Sequence, residues 1–229
     1  MKHIKKTSPP ASFIAWCVAQ KAIGLNYKYS SLPNPEKGDL HQALTIEQGL
    51  ICGYTMKRIA QSISHIEHIK PQHQCIKDRD EKDLDYNNML ACYPKLGGIR
   101  CSFGAEPKGN WWDDKLFISP TDSSCELKFI YNIKGEIYPS GSRVPASQKT
   151  INVLVLGDPS LVFDRKKAIE DFIYGVGGTS PLSWVDANKA IDSIYKPNLS
   201  GDFYEFCIAI HDALFEYLDI LKKAASKTT

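Results

Sequence analysis

The 229-residue sequence predicts an α+β fold. Two patterns carry that reading: helical periodicity concentrated at the two ends, and short β-favouring runs bounded by turn residues in the middle. With 43% hydrophobic and 24% charged residues, the composition suits one well-packed core plus an appendage and excludes disordered and collagen-like chains.

Taken in order, residues 11–25 follow Pro10, carry Ser12 in the first turn, show a broad apolar face and meet Gly24, so they read as a helix. Residues 29–38, with Pro33, Asn34, Pro35 and Gly38, read as a loop. From Asp39 the pattern Leu40, Leu44, Ile46 predicts a second helix ending near Gly49. Residues 51–56 and 62–66 predict two short strands joined by a small turn, and Pro71 should end the second. The charge-dense run 72–85 reads as a solvated loop, order resumes over 87–92, and Gly97, Gly98, Gly104 and Gly109 punctuate a further loop. Residues 128–133 and 136–138 form a predicted hairpin in which Gly135 supplies the positive-φ turn. Beyond it, 159–174, 183–195 and 202–225 carry apolar residues three and four apart and read as helices. The last stripe (Phe203, Cys207, Ile210, Leu214, Tyr217, Leu221) could recruit a partner helix, but packing on the chain's own core is the favoured reading.

Apolar runs such as 13–19 and 151–156 fall far short of the roughly 20 residues that span a membrane. The opening Lys2, Lys5 and Lys6, followed by Pro9 and Pro10, lacks the apolar run of a signal peptide, so a soluble cytoplasmic protein with no membrane partner is expected. Residues 1–110 carry fifteen Lys/Arg against ten Asp/Glu, and residues 111–229 thirteen against sixteen. A basic first half suits a polyanion, though only mildly. Seven cysteines at irregular spacings read as reduced, buried thiols or metal ligands rather than a disulfide framework.

The chemistry-bearing residues concentrate between 51 and 114. There the chain reads Ser64-His65-Ile66-Glu67-His68-Ile69-Lys70-Pro71, then Leu84-Asp85-Tyr86-Asn87-Asn88-Met89-Leu90-Ala91-Cys92, then 100–110 with Arg100, Cys101 and Lys108-Gly109-Asn110. An acid–histidine pair, an Asn–hydrophobe pair twenty residues on and a closing Lys-Gly-Asn resemble the HNH nuclease motif. More narrowly, Lys2-His3-Ile4-Lys5-Lys6 with Pro9-Pro10, Leu44-x-x-Glu47-Gln48-Gly49-x-x-Cys52-x-Tyr54, Glu67-His68 and Asp85-Tyr86-Asn87-Asn88-Met89-Leu90-Ala91 resemble the PtuB-type HNH proteins of Septu and retron antiphage systems over about residues 1–170.

That resemblance implies a ββα-metal core at 39–125, preceded by an N-terminal helical lead (1–38) and followed by a hairpin extension (126–158) and a C-terminal helical region (159–229). It implies a metal-dependent endonuclease that works with a PtuA-like ATPase and is kept silent by a retron reverse transcriptase with its RNA-DNA. The chemistry is coherent: phosphodiester cleavage needs an activated water and a cation against the charge on phosphate and leaving oxygen. His68 would be the general base and Asn88 would orient it by hydrogen bonding. Glu67 and Asn110 would stand at the metal, Mg²⁺ or another divalent cation such as Mn²⁺, with Asp113 and Asp114 as substitutes for Asn110. Lys70, Arg100 and Lys108 would contact phosphate. Alternatives stay open: a structural histidine at 68, a cap or turn former at Asn88, a turn residue at Asn110. His65 shares the strand face of Glu67, where a surface residue is favoured over a second ligand. Trp111 and Trp112 read as core or interface anchors before base-stacking platforms. Related proteins brace this motif with zinc on two Cys-x-x-Cys pairs; here Thr55 stands three residues after Cys52, and Cys52, Cys92 and Cys101 make at most three thiolates, so a structural zinc is not expected. The competing function is a non-catalytic adaptor that binds nucleic acid for the same ATPase, and a third is a zinc-binding regulatory module.

Overall fold

The computed structural model describes residues 1–24, 27–97 and 100–227. Leu25 and Gly98, which the sequence reading placed in the first helix and in a loop, lie outside them. Eight α-helices and four short strands are assigned among these residues, in the order α1 (Ala11–Ala22), α2 (Glu36–Glu47), β1 (His65–His68), α3 (Gln72–Asp78), β2 (Met89–Cys92), α4 (Ala105–Lys108), β3 (Phe129–Tyr131), β4 (Ile137–Pro139), α5 (Val144–Val153), α6 (Pro159–Tyr174), α7 (Trp184–Ile191) and α8 (Cys207–Ala225). The fold is α+β, with two separate two-stranded antiparallel sheets, β1–β2 and β3–β4.

Residues 51–56 do not form the expected strand, and of 62–66 only His65 and Ile66 are extended in one. Ile51 makes only an isolated bridge to Arg58, and between them the chain reverses: the Cys52 N–H donates to the Lys57 carbonyl and the Met56 N–H to that of Cys52. A turn that closes within five residues leaves no room for an extended run. The strand begins later, at His65, and its partner is not 51–56 but Met89–Cys92, in the register His65↔Cys92, Ile66↔Ala91, Glu67↔Leu90, His68↔Met89. Gln48, which caps the end of α2, supports this pair: its carboxamide donates to the Ala91 carbonyl (2.8 Å) and accepts from the Ala91 N–H (2.7 Å), pairing with the strand as a third backbone would.

The run 72–85 was expected as a solvated loop, yet its first half is α3. Pro71 supplies the fixed φ at its start and buried Cys75 its inward face, and Arg79 ends it in the left-handed conformation (φ 56°). Helix α2 starts at Glu36 rather than Asp39. The final helix starts at Cys207 rather than 202, because Phe206 is itself left-handed (φ 56°). Helix α7 ends at Ile191, short of Tyr195. Helix α5 falls within the expected hairpin extension and was not anticipated. The hairpin β3–β4 and helix α6 occupy their expected places, Gly135 sitting at φ 78° with the backbone of Val162 and Lys166 so close that a side chain there would clash.

A single cluster of buried apolar side chains runs from Met1 and Phe13 through Leu44, Leu90 and Tyr131 to Leu214. The α8 stripe belongs to it, with Cys207, Ile210, Leu214 and Tyr217 all buried, as the sequence reading favoured. The N-terminal segment is sewn onto the first sheet by Lys6, which pairs with Glu47 (2.6 Å), donates to the Met89 carbonyl and lies over the Tyr86 ring. Trp111 and Trp112 pack around Phe117. No described helix is long and apolar enough to cross a membrane.

Candidate functional site

Strand β1 delivers Glu67 and His68 to its end, and Pro71 three residues beyond turns the chain away. Helix α4, a single turn between Gly104 and Gly109, closes the opposite side; both glycines have positive φ (83° and 47°), so the chain bends sharply at each end. Between them lies a cleft of about 330 Å³ lined by His65, Glu67, His68, Gln72, Glu106 and Asn110. The structure therefore brings three of the sequence candidates together, Glu67, His68 and Asn110, the last exposed on the rim.

His68 is buried, at 4% exposure. Its Nε2 lies 2.9 Å from the Asp83 carbonyl, which can only accept, so Nε2 carries the proton and Nδ1 keeps its lone pair. That second nitrogen faces the Gln72 amide at 3.4 Å. Burial lowers the His68 pKa below its ordinary 6.5, the opposing pull of the Asp83 carbonyl and of Glu67 being smaller. A buried imidazole, neutral at physiological pH and with its tautomer fixed, is suited to accept a proton. The Tyr29 ring stands edge-on to it (centroids 4.6 Å apart). Asp83 accepts the Tyr29 N–H, so the N-terminal segment helps to hold the histidine.

Asn88 lies in another place than its expected role requires. Rather than bonding His68, its Oδ1 accepts from the Lys70 N–H (2.7 Å) while Nδ2 donates to the carbonyls of Lys70 (3.0 Å) and Lys82 (2.8 Å). It clamps the exit of β1 to the segment that leads into β2, and so reaches His68 only through the backbone. The 3₁₀ turn before β2 sets its position: Asp85 caps that turn by accepting the Asn87 N–H (2.9 Å).

The three proposed phosphate contacts are also placed differently. Lys108 points inward, its side chain fully buried, with Nζ donating to Glu67 Oε1 (2.8 Å) and the His68 carbonyl (3.0 Å). Lys70 is held by Asp78 (2.6 Å) and Asp80. Arg100 alone of the three extends into solvent, 3.6 Å from Glu106. Burial and ion pairing thus make structural cross-links of the two lysines. Asp113 and Asp114 line a different hollow with Lys70 and Trp112, which leaves Asn110 as the residue of that segment facing the histidine cleft.

His65 contradicts its expected surface position: it is only 9% exposed, it lines the cleft, and its Nδ1 is bonded to the Pro94 carbonyl. The sequence set it on the face of Glu67 but carried no sign of its burial, which comes from the segment after β2, where the Pro94 carbonyl meets its ring.

The cysteines are reduced, five of the seven buried. Cys52 and Cys92 meet beside Thr55. Burial pushes the Cys52 thiol up, but hydrogen bonds from Cys92, Thr55 and the Tyr93 N–H outweigh it and bring its pKa to about 6. Two thiols and a hydroxyl are fewer than the four ligands of a structural zinc site. Among the described residues no three His, Cys, Asp or Glu side chains converge as a metal site. The histidine cleft nonetheless offers the second carboxylate oxygen of Glu67, the His65 ring and the Asn110 amide. That sparse set fits a divalent cation that keeps most of its waters.

The fold and site define an α+β protein that presents an acid–histidine pair in a cleft at the end of a two-stranded antiparallel sheet. No family model matches the chain. It is 31% identical, over 153 residues covering 64% of this chain and 71% of the relative, to a Vibrio cholerae serotype O1 biovar El Tor protein named as a candidate HNH endonuclease of retron Vc95. The chain belongs to that relative's family, the HNH endonucleases of retrons.

Proposed function

We propose that this protein is a metal-dependent HNH endonuclease that hydrolyses phosphodiester bonds of a nucleic acid, the effector of a retron or Septu antiviral system acting with a PtuA-like ATPase. In this reading β1, β2 and α4 are its ββα-metal core. The observation that carries it is the fixed tautomer of His68: with Nε2–H on the Asp83 carbonyl, Nδ1 is the nitrogen whose lone pair, met only by the Gln72 amide at 3.4 Å, would take a proton from an attacking water. Glu67 and Asn110 would hold the metal, and when bound it would supply positive charge at the scissile phosphate and the leaving oxygen. Asn88 acts as a positioning residue, holding the backbone on which Glu67 and His68 sit. Arg100, exposed near the cleft, remains the candidate for a phosphate contact. The relative's retron context supports the defence role, and PtuB-like resemblance is the ground for the ATPase partner and the silencing reverse transcriptase.

The Glu67–Lys108 ion pair favours a second reading. A carboxylate neutralised by a buried lysine is a poorer metal ligand, as it would be in a non-catalytic adaptor that binds nucleic acid for the ATPase. Co-expression with the ATPase separates the two. Fragmented cellular DNA or RNA with wild type, abolished by His68→Ala with partner binding intact, supports the nuclease and names its polymer. Equal nucleic-acid integrity and equal phage protection by both proteins would replace it with the adaptor.

A further inference from the structure

We infer that His65 is a protein ligand, beside Glu67, to a divalent cation in the cleft, and that its nitrogen turns the site toward Mn²⁺ over Mg²⁺. The inference deepens the nuclease reading and rests on it for the cation's purpose, but its argument is local. A backbone carbonyl can only accept, so the bond to Pro94 places the ring proton on Nδ1 and leaves a lone pair on Nε2. That Nε2 lies 4.0 Å from Glu67 Oε2, beyond hydrogen-bond range. Glu67 Oε1 is already taken by Lys108. Two electron-rich atoms therefore face each other across a cleft, and among the described residues no hydrogen bond reaches either of them.

A cation is the species that satisfies both. Metal–nitrogen and metal–oxygen bonds are about 2.1 Å each, so an ion between the two atoms spans a gap of this size without rearranging either side chain. The Pro94 carbonyl is the kind of outer partner that orients a ligating histidine by holding its other nitrogen. Both side chains project from one strand, two residues apart and so on one face, and His65 is nine-tenths buried, which limits its motion. An imidazole in the donor set matters chemically: Mg²⁺ selects oxygen, whereas first-row transition ions gain from nitrogen.

The test is a titration of the purified full-length chain, without nucleic acid, with Mn²⁺ followed by electron paramagnetic resonance of the free ion, and with Mg²⁺ by competition. Wild type should bind Mn²⁺ at least about 10-fold more tightly than Mg²⁺. His65→Ala and His65→Asn should each lose at least about 10-fold in Mn²⁺ affinity. His65→Asn keeps an amide donor for the Pro94 carbonyl and so decides the matter if the alanine variant does not fold. Wild-type Mn²⁺ affinity in a folded His65 variant, or no Mn²⁺ binding by wild type, overturns the inference. Mn²⁺ held through His65 by a protein that cleaves nothing would sink the nuclease reading and leave this one standing. Cleavage by wild type with Mn²⁺ binding unmoved by His65 substitution would do the reverse.

Discussion

Asn88→Ala removes the clamp between the end of β1 and the approach to β2. The carboxamide makes three hydrogen bonds to backbone groups, the Lys70 N–H and the carbonyls of Lys70 and Lys82, at 2.7–3.0 Å, the two to Lys70 buried. At about 1 kcal/mol net for each, the loss is ~3 kcal/mol, and a buried N–H left without an acceptor adds to it. Urea denaturation should show this as a lower midpoint at unchanged slope. For a chain of this size ~3 kcal/mol corresponds to a fall in Tm of about 6–12 °C. Asn88→Asp is nearly isosteric and sharpens the test. It keeps the acceptor for Lys70 but sets a carboxylate oxygen against two carbonyls, so it should cost at least as much as alanine. If Asn88 worked through a direct bond to His68, both variants would lose cleavage while keeping wild-type stability. Stability of either variant within about 0.5 kcal/mol of wild type would refute the clamp.

Two further outcomes follow from the same geometry. Lys108→Met breaks the buried pair with Glu67 and the bond to the His68 carbonyl, and should destabilise by ~3 kcal/mol. Because Glu67 is then no longer neutralised, added Mn²⁺ should restore part of that loss, and a Tm that ignores the ion in this variant would contradict a cation site at Glu67. His68 has a folded-state pKa below its ordinary 6.5, so the unfolded chain binds its proton first as pH falls. Its contribution to stability is therefore complete above pH 6.5 and is lost as pH falls from there toward the folded pKa. His68→Gln should flatten that part of the stability–pH curve, and parallel curves for the two proteins would exclude the assignment.

Elements whose signals are local were legible in the chain. Helix α6 begins at Pro159 after Asp158, whose carboxylate caps it, and the β3–β4 hairpin turns at Gly135 because only a glycine fits at positive φ against the backbone of α6. The juxtaposition Glu67-His68 was legible too, since adjacency in the chain survives any fold. What depended on distant partners was decided by tertiary structure. Ile51 and its neighbours have β-favouring side chains, yet β1 pairs with a strand twenty residues further on, where Gln48 and the buried faces of Leu90 and Ala91 offer a better match. Lys108 reads as a surface cation on a Lys-Gly-Asn turn, and Asn88 as the partner of His68. Only the packing of α4 against β1 turns the lysine onto Glu67, and only the path of residues 70–88 hands Asn88 to the backbone instead of the imidazole. A charged or amide side chain takes the nearest partner that burial leaves it, and which partner is nearest is a property of the folded chain rather than of its order.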